Sequence, residues 1–465
     1  MRAVQPSRRP TSWVVLLVLL FTACAEHARV PTEPDLAKGA GSTGPTVSGT
    51  DPSESTRDTT LDVRVLGSGF DAGSRVDFLL DGLADAKVRT NSTRYVSSKE
   101  LVASITIDAE AVPDFRDVAV TTSTGKKGIG TERFQVLAIE ELAAPVGGSL
   151  AYDLNGTGLV VGQVVGGCAG PHPAHWTSPE VWVLLPLPSG TCGGRVFGVS
   201  ASGYITGFTS LGDGTWSATR WAPTASGYVA EFLGFAPDGG RYEALGVNDL
   251  GHVVAGKSSG GGYAAWRATW WSPETGWVDL ALPPGAEGCY GMGISQSDAV
   301  VGYCRINSVF SATFWAGPYA SPVVLPRLSG WNSSQSGVAI NESGVIAGYA
   351  WNRSRSGSIT ETAVRWFLQG GTWVVESLGH LGGGVSSAND VNDDGQIVGW
   401  SRKTSNGNNV AFLWTPGAGM RALGGLTPAS KSTASGITNS TGGNGVIIAG
   451  WSETQGVNRA VIWRP

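Results

Sequence analysis

Ala388-Asn389-Asp390-Val391-Asn392-Asp393-Asp394-Gly395-Gln396-Ile397-Val398-Gly399-Trp400, continued by Ala411-Phe412-Leu413-Trp414 and Leu423-Gly424-Gly425-Leu426, sets the pattern that decides the fold. A short hydrophobic run reaches the turn Asn392–Gly395, a second run closes on Gly399, and a third carries Ala-x-x-Trp. Asn at the first place of the turn and Gly at the fourth fit a type I turn ending in a left-handed glycine, a common hairpin connection. Outward from this stretch the pattern returns. Trp176, Trp221, Trp271, Trp315, Trp366, Trp414 and Trp463 are spaced by 44 to 51 residues. Alanine stands three places before each except the first, where Pro173 replaces it. Gly162, Gly207, Gly256, Gly302, Gly348, Gly399 and Gly450 keep the same register.

A fourth run begins near Trp182, Tyr228, Trp277, Trp373 or Met420 and ends on leucine before a glycine-rich link. Self-similarity at one period is the mark of a repeat architecture, and four short strands per unit make a propeller blade. Seven units predict an all-β, seven-bladed β-propeller over 138–465, with an open β-solenoid of the same repeats as the alternative. The seventh unit stops at Trp463-Arg464-Pro465 and lacks a fourth strand, while Ala138-Ile139-Glu140-Glu141-Leu142 precedes a first unit that does not need it. This segment is expected to supply the outer strand of blade seven and to remove the open edge of the ring.

The unit Ala-x-Asp/Gly-x-Asn…Gly-x-Val-Val-Gly…Ala-Phe-Leu-Trp…Leu-Gly resembles the HAF family of bacterial extracellular repeats. The resemblance spans about 145–465 and implies an extracytoplasmic location, with no activity attached.

Ahead of the propeller, Val63 and Val65, Val76 and Phe78, Leu101, Ala103 and Ile105, Val118 and Val120, then Phe134 and Val136 alternate with polar residues. Period two is the pattern of half-buried strands, so 59–137 is expected to form a small β-sandwich. Val65-Leu66-Gly67-Ser68-Gly69-Phe70, Gly73-Ser74-Arg75-Val76-Asp77-Phe78 and Val96-Ser97-Ser98-Lys99-Glu100-Leu101 together resemble the IPT/TIG immunoglobulin-like family. That resemblance implies a spacer or interaction module without catalytic residues.

At the N-terminus Arg2, Arg8 and Arg9 precede an apolar core from Trp13 to Phe21, followed by Thr22, Ala23 and Cys24. This is the layout of an export signal, and the core is too short to span a bilayer as a helix. Leu20-Phe21-Thr22-Ala23-Cys24 resembles the lipobox of bacterial lipoproteins, which implies cleavage after residue 23 and lipidation of Cys24. Ala25 resembles the outer-membrane sorting pattern for a host with two membranes. Residues 24–58, rich in Pro, Gly, Ser and Thr, are expected to be a disordered tether, since they bury too little to offset ordering entropy.

Only 15% of residues are charged, and glycine reaches 68 of 465. Loss of residues 1–23 moves the net charge from −5 to −8, which disfavours nucleic acid as a partner. Four cysteines remain in an oxidising compartment, and Cys168 with Cys192 and Cys289 with Cys304 are the economical disulfides. No CxxC occurs and the five histidines form no ligand set, so neither metal nor cofactor is expected.

No catalytic residue stands out. Gly198-Val199-Ser200-Ala201-Ser202-Gly203 misses the nucleophile-elbow spacing and lies at a repeat turn. Asn392-Asp393-Asp394-Gly395 lacks the alternating carboxylates of a calcium loop. Paired carboxylates drawn from distant blades leave no mark in a linear sequence. The residue after the second-strand glycine is aromatic in five units, as Phe208, Tyr303, Tyr349, Trp400 and Trp451. Such faces either pack blade against blade or stack sugars. Tyr303, Tyr349, Trp400 and Trp451 are the ligand candidates, and the seven aligned tryptophans are structural. The sequence thus predicts a monomeric, lipid-anchored scaffold or binding protein for a protein or glycan ligand. A lectin and an exported hydrolase or lyase are the alternatives.

Overall fold

Seven four-stranded antiparallel sheets follow one another through the C-terminal region of the computed structural model, each built from one repeat. The structure describes residues 44–465 except 167–169, 214, 261, 332–333, 354–358, 428 and 441–444. Blade 1 runs from Ser149–Leu154 through Val160–Val165 and Pro171–Ser178 to Val181–Leu184, and blades 2 to 6 repeat that order. Blade 7 takes three strands from the C-terminal end, Ser432–Ile437, Ile448–Thr454 and Val457–Trp463. Its outer strand is Ile139–Glu141, with Ile139 opposite Trp463 and Glu141 opposite Val461. The Leu142 amide adds a bond to the Ala460 carbonyl at 2.8 Å. The upstream segment therefore closes the ring as the repeat count demands.

The first strand of each blade touches the first strands of both neighbours, including that of blade 7 against that of blade 1. This excludes the open solenoid. The blade 7–blade 1 seam has its own core, in which Leu142, Ala151 and Trp176 pack with Ala449, Ala460 and Ile462. Each remaining seam is filled in the same way, as where Val161 of blade 1 meets Val196, Ile205 and Trp221 of blade 2.

The aligned tryptophans join blades as well as filling them. Indole N–H groups of Trp176, Trp221, Trp315 and Trp366 donate to the carbonyls of Ala143, Pro186, Ala281 and Pro326, in the link before each blade. Blade 3 departs from this. Trp271 holds the equivalent register opposite Val253 but is half-exposed, with Arg220 over its ring at 4.6 Å. Trp277 of the fourth strand makes the bond to the link instead, to Leu233 at 2.9 Å, and stacks on Tyr242.

In the sandwich, Thr46–Asp51, Thr59–Ser68, Glu100–Ile107 and Val88–Ser97 form one sheet. The other holds Glu54–Thr56, Lys127–Leu137, Phe115–Thr121, Arg75–Leu80 and Leu83–Ala84. All eleven alternating residues read from the sequence lie in the core between them. Residues 46–56 correct the expected tether, which was drawn to 58: they are strands of the sandwich. They escape a hydrophobicity reading because Val47 is the one apolar side chain there that is buried. Their support comes from backbone pairing with Thr59–Ser68 and Lys127–Leu137. Arg116 is fully buried and satisfied by Asp85 at 2.7 Å and by the carbonyls of Val112, Asp114 and Phe115. The sandwich leans on blade 6, where Lys403 pairs with Glu54 at 2.6 Å and Arg421 lies over Phe115.

Among the described residues the only helix is the 3-10 turn Gly262–Ala265, and no helix is long and apolar enough to cross a membrane. The export signal, Cys24 and residues 25–43 of the expected tether lie outside the described residues.

Candidate functional site

The first strand of every blade carries a β-bulge at the same place. Pairing skips from Ala151 to Asp153 in blade 1, from Val196 to Gly198 in blade 2, and equivalently in the other five. A bulge leaves one residue unpaired and re-aims its side chain. The seven extra residues are Tyr152, Phe197, Leu245, Met292, Val338, Asn389 and Ser435, and all line the central channel. They occupy the variable place of the Ala-x-Asp/Gly pattern. The channel encloses about 490 Å³ and extends to the rim formed by the repeat turns.

The lining is two-sided. Blades 1 to 5 contribute Tyr152, Phe197, Leu245, Met292 and Val338, each half-buried with apolar surface open to the lumen. Blades 6, 7 and 1 contribute Asn389, Asp390, Ser435 and Asp153. The residue after the bulge is glycine or alanine in five blades (Gly198, Gly246, Gly293, Ala339 and Gly436) and aspartate in blades 1 and 6. Small residues are needed where neighbouring backbone comes close: a Cβ on Gly293 would stand 2.8 Å from the Val338 carbonyl oxygen.

The two aspartates flank Gly436 of blade 7. A Cβ on Gly436 would stand 2.7 Å from Asp153 Oδ1, and the next amide, Ile437 N–H, donates to Asp390 Oδ2 at 2.9 Å. Asp153 in turn accepts from Val199 N–H of blade 2 at 2.8 Å. Each also accepts from the amide that follows it in its own strand. Burial in the channel wall, with the charge of Asp390 beside it, raises the Asp153 carboxyl well above the usual carboxylate range. Burial likewise pushes Asp390 up to about 7, against the lowering effect of its two amide bonds. Two like charges in one low-dielectric site disfavour double ionisation.

At the rim, side chains and amides run from blade to blade. Backbone N–H groups of Ser202, Asp249, Gln296, Glu342 and Asp393 donate to the side chains of Asp249, Gln296, Glu342, Asp393 and Asn439 in turn. Below them, Asn155, Asn248, Asn341 and Asn392 each donate a side-chain N–H to a turn carbonyl of the next blade. The turn glycines adopt the expected left-handed conformation at Gly158, Gly203, Gly251, Gly344 and Gly395. Blade 4 places Asp298 there at φ +61°. Its carboxylate meets His252 Nδ1 at 2.9 Å and accepts from Trp270 Nε1 and Asn248 Nδ2, which fastens blade 4 to blade 3.

The aromatic candidates do not converge on the channel, and none of the four lines it. Tyr303 is half-buried within a cluster of Tyr290, Trp266 and Phe310. Tyr349, its phenol raised by burial, sits beside Glu361 and Ser336. Trp400 and Trp451 are half-buried on the second strands of blades 6 and 7. Cys289 and Cys304 are joined as expected. Cys192 is disulfide-bonded, and Cys168 lies outside the described residues. Ser200 and Ser202 bond each other within a turn closed from Gly203 N–H to the Ser200 carbonyl. Among the described residues no group of three or more His, Cys, Asp or Glu is placed to hold a metal ion.

The sequence reading missed the channel pair because Asp153 and Asp390 lie far apart in the chain and only ring closure brings them together. The signal available was aspartate at a repeat place otherwise held by glycine or alanine.

No family model matches the chain, and no curated protein matches it. Solved structures similar to it include a protein of unknown function from Bacteroides thetaiotaomicron, at 11% identity and TM-score 0.35, covering 92% of this chain and all of that one. TolB from Acinetobacter baumannii is 12% identical with TM-score 0.33, covering 71% of this chain and 82% of its own. Trypanosoma rangeli sialidase is 10% identical with TM-score 0.33, covering 85% of this chain and 59% of its own. Likeness at this level carries no argument about activity.

Proposed function

We propose that this chain is an envelope-anchored, non-catalytic binding protein whose ligand seat is the central channel of the propeller on the side of the repeat turns. The observation that carries this reading is the two-sided cavity of about 490 Å³, apolar along one arc and polar along the other. A concave, largely preformed apolar pocket with a few convergent polar groups is the usual form of a small-ligand site. Lipid on Cys24 would hold the protein at the membrane surface, with the sandwich as the spacer that carries the ring away from it. The catalytic alternative has less support. The amide bonds to the two channel carboxyls tie them to blade-to-blade fastening, and among the described residues no histidine lines the cavity to activate the Ser435 or Thr438 hydroxyl beside them.

A thermal-shift screen of small amines, sugars and peptides tests the seat, using the wild type and Val338→Trp, which fills the lumen. Ligands that stabilise the wild type and not the filled variant support it. Ligands that stabilise both alike place binding elsewhere.

A further inference from the structure

We infer that the channel seat takes an organic cation, an ammonium group carried on an apolar arm, with the charged end between Asp153 and Asp390. This rests on the channel being the ligand seat. Three observations carry it.

The first is the sign of the field. Among the described residues, the ionisable side chains other than tyrosine that line the cavity are all acidic, Asp153, Asp249, Glu342, Asp390 and Asp393, with no Lys, Arg or His. A cleft walled by one sign of charge concentrates ligands of the other. The second is the apolar arc of Phe197, Leu245, Met292 and Val338, which leaves hydrophobic surface unpartnered across the lumen. A bare metal ion gains nothing from such a wall, and an apolar arm does.

The third is the donor count. Every oxygen of the two carboxyls already accepts one backbone N–H and keeps further acceptor capacity. Asn389 donates its Nδ2 to the Ala434 carbonyl at 2.8 Å, which leaves its Oδ1 as an acceptor. An ammonium brings three donors and no acceptor, which suits this set. Calcium seeks six to eight close oxygens, and among the described residues no third acidic ligand joins the pair.

Ammonium binding favours the ionised carboxylates, so protons held by the pair leave to solvent as the ligand enters. The titratable groups facing the seat are the pair itself, the Tyr152 phenol, and the rim carboxylates Asp249, Glu342 and Asp393. Blade 7 presents Ser435, Ile437, Thr438 and Asn439 and, among the described residues, adds no charge.

The test is calorimetric titration of the full-length mature protein with benzylammonium and with benzyl alcohol, at pH 8.5 and pH 5.5. Benzylammonium is expected to bind at least tenfold more tightly than the alcohol at pH 8.5, and to weaken at least tenfold at pH 5.5. Asp153→Asn/Asp390→Asn, confirmed folded by circular dichroism, is expected to lose that preference. Equal binding of the alcohol, or an unchanged preference in the double variant, overturns the inference. So does calcium binding at the pair without benzylammonium binding. If benzylammonium fails while another ligand is excluded by Val338→Trp, the cation inference falls and the seat stands. If Val338→Trp excludes nothing, both fall.

Discussion

Blades 2 to 5 and blades 6, 7 and 1 are drawn from one repeat, yet they build opposite walls of the channel. Along the first arc the bulge presents Phe197, Leu245, Met292 and Val338, each followed by glycine or alanine. Along the second it presents Asn389, Ser435 and, where the arcs join, Tyr152, with Asp390 and Asp153 flanking Gly436. The second arc also contains the closure, where the strand Ile139–Glu141 completes blade 7. The comparison separates what every blade must do from what only some do. Bulges, turn asparagines and link-facing tryptophans serve the ring. Two buried acids within one arc do not improve packing, because their ionisation is held back by burial, and local rules broken at a cost to stability mark functional sites.

The closure offers the largest effect. Leu142→Ala removes a fully buried side chain from the blade 7–blade 1 core, and such truncations cost about 2–5 kcal/mol. Leu280→Ala, in the core between blades 3 and 4, is expected to cost a similar amount elsewhere. Hydrogen exchange should then quicken in 432–463 for the first variant and around 267–315 for the second. Uniform quickening in both would mean that the closing blade is no distinct unit.

A smaller effect separates the small-residue places. Gly436→Ala brings a Cβ to 2.7 Å from Asp153 Oδ1 and 2.9 Å from its Cα, so blade 1 must shift. Gly246→Ala meets nothing nearer than 3.1 Å. Chemical denaturation should show a loss of about 1–3 kcal/mol for the first, the range for overpacking, and distinctly less for the second. Equal losses would mean that Asp153 does not constrain the Gly436 place.

The acid pair makes stability depend on pH in a definite sense. Both carboxyls are raised in the fold, so the folded state holds the pair's proton more firmly than the unfolded chain does. Stability from this source is present on the acid side and is lost as pH rises through about 7. The melting temperature should therefore be higher at pH 5.5 than at pH 8.5 by a few degrees, and Asp390→Asn should flatten the difference. A wild-type profile no steeper than the variant's would contradict the raised carboxyls. Smallest of all, Asp393→Ala removes one exposed link of the rim and should cost no more than about 1 kcal/mol by denaturant melting.

What could be read from the sequence was whatever repeats or alternates. The seven Gly and Trp series give the ring, and the surplus of Ile139–Leu142 upstream gives its closure. Alternation from Val63 to Val136 gives the sandwich core. Edge strand Thr46–Asp51 stayed hidden because pairing with a neighbour, rather than its own hydrophobicity, holds it. In blade 3, Trp270 and Trp271 adjoin one another, and alignment alone does not tell which is buried. Trp270 is, at 5% exposure, while Trp271 lies against Arg220. The channel wall was written in the repeat's variable place, which reads as noise until the bulge turns it inward.

The most direct measurement is a carbon-13 NMR titration of the aspartate carboxyls, with Asp153 and Asp390 assigned through their Asn variants. The account predicts two linked transitions, both above the usual carboxylate range, with Asp390 near pH 7 and shifting when Asp153 is replaced. Two independent transitions near pH 4, each indifferent to the other residue, would show that the arc holds no acid pair.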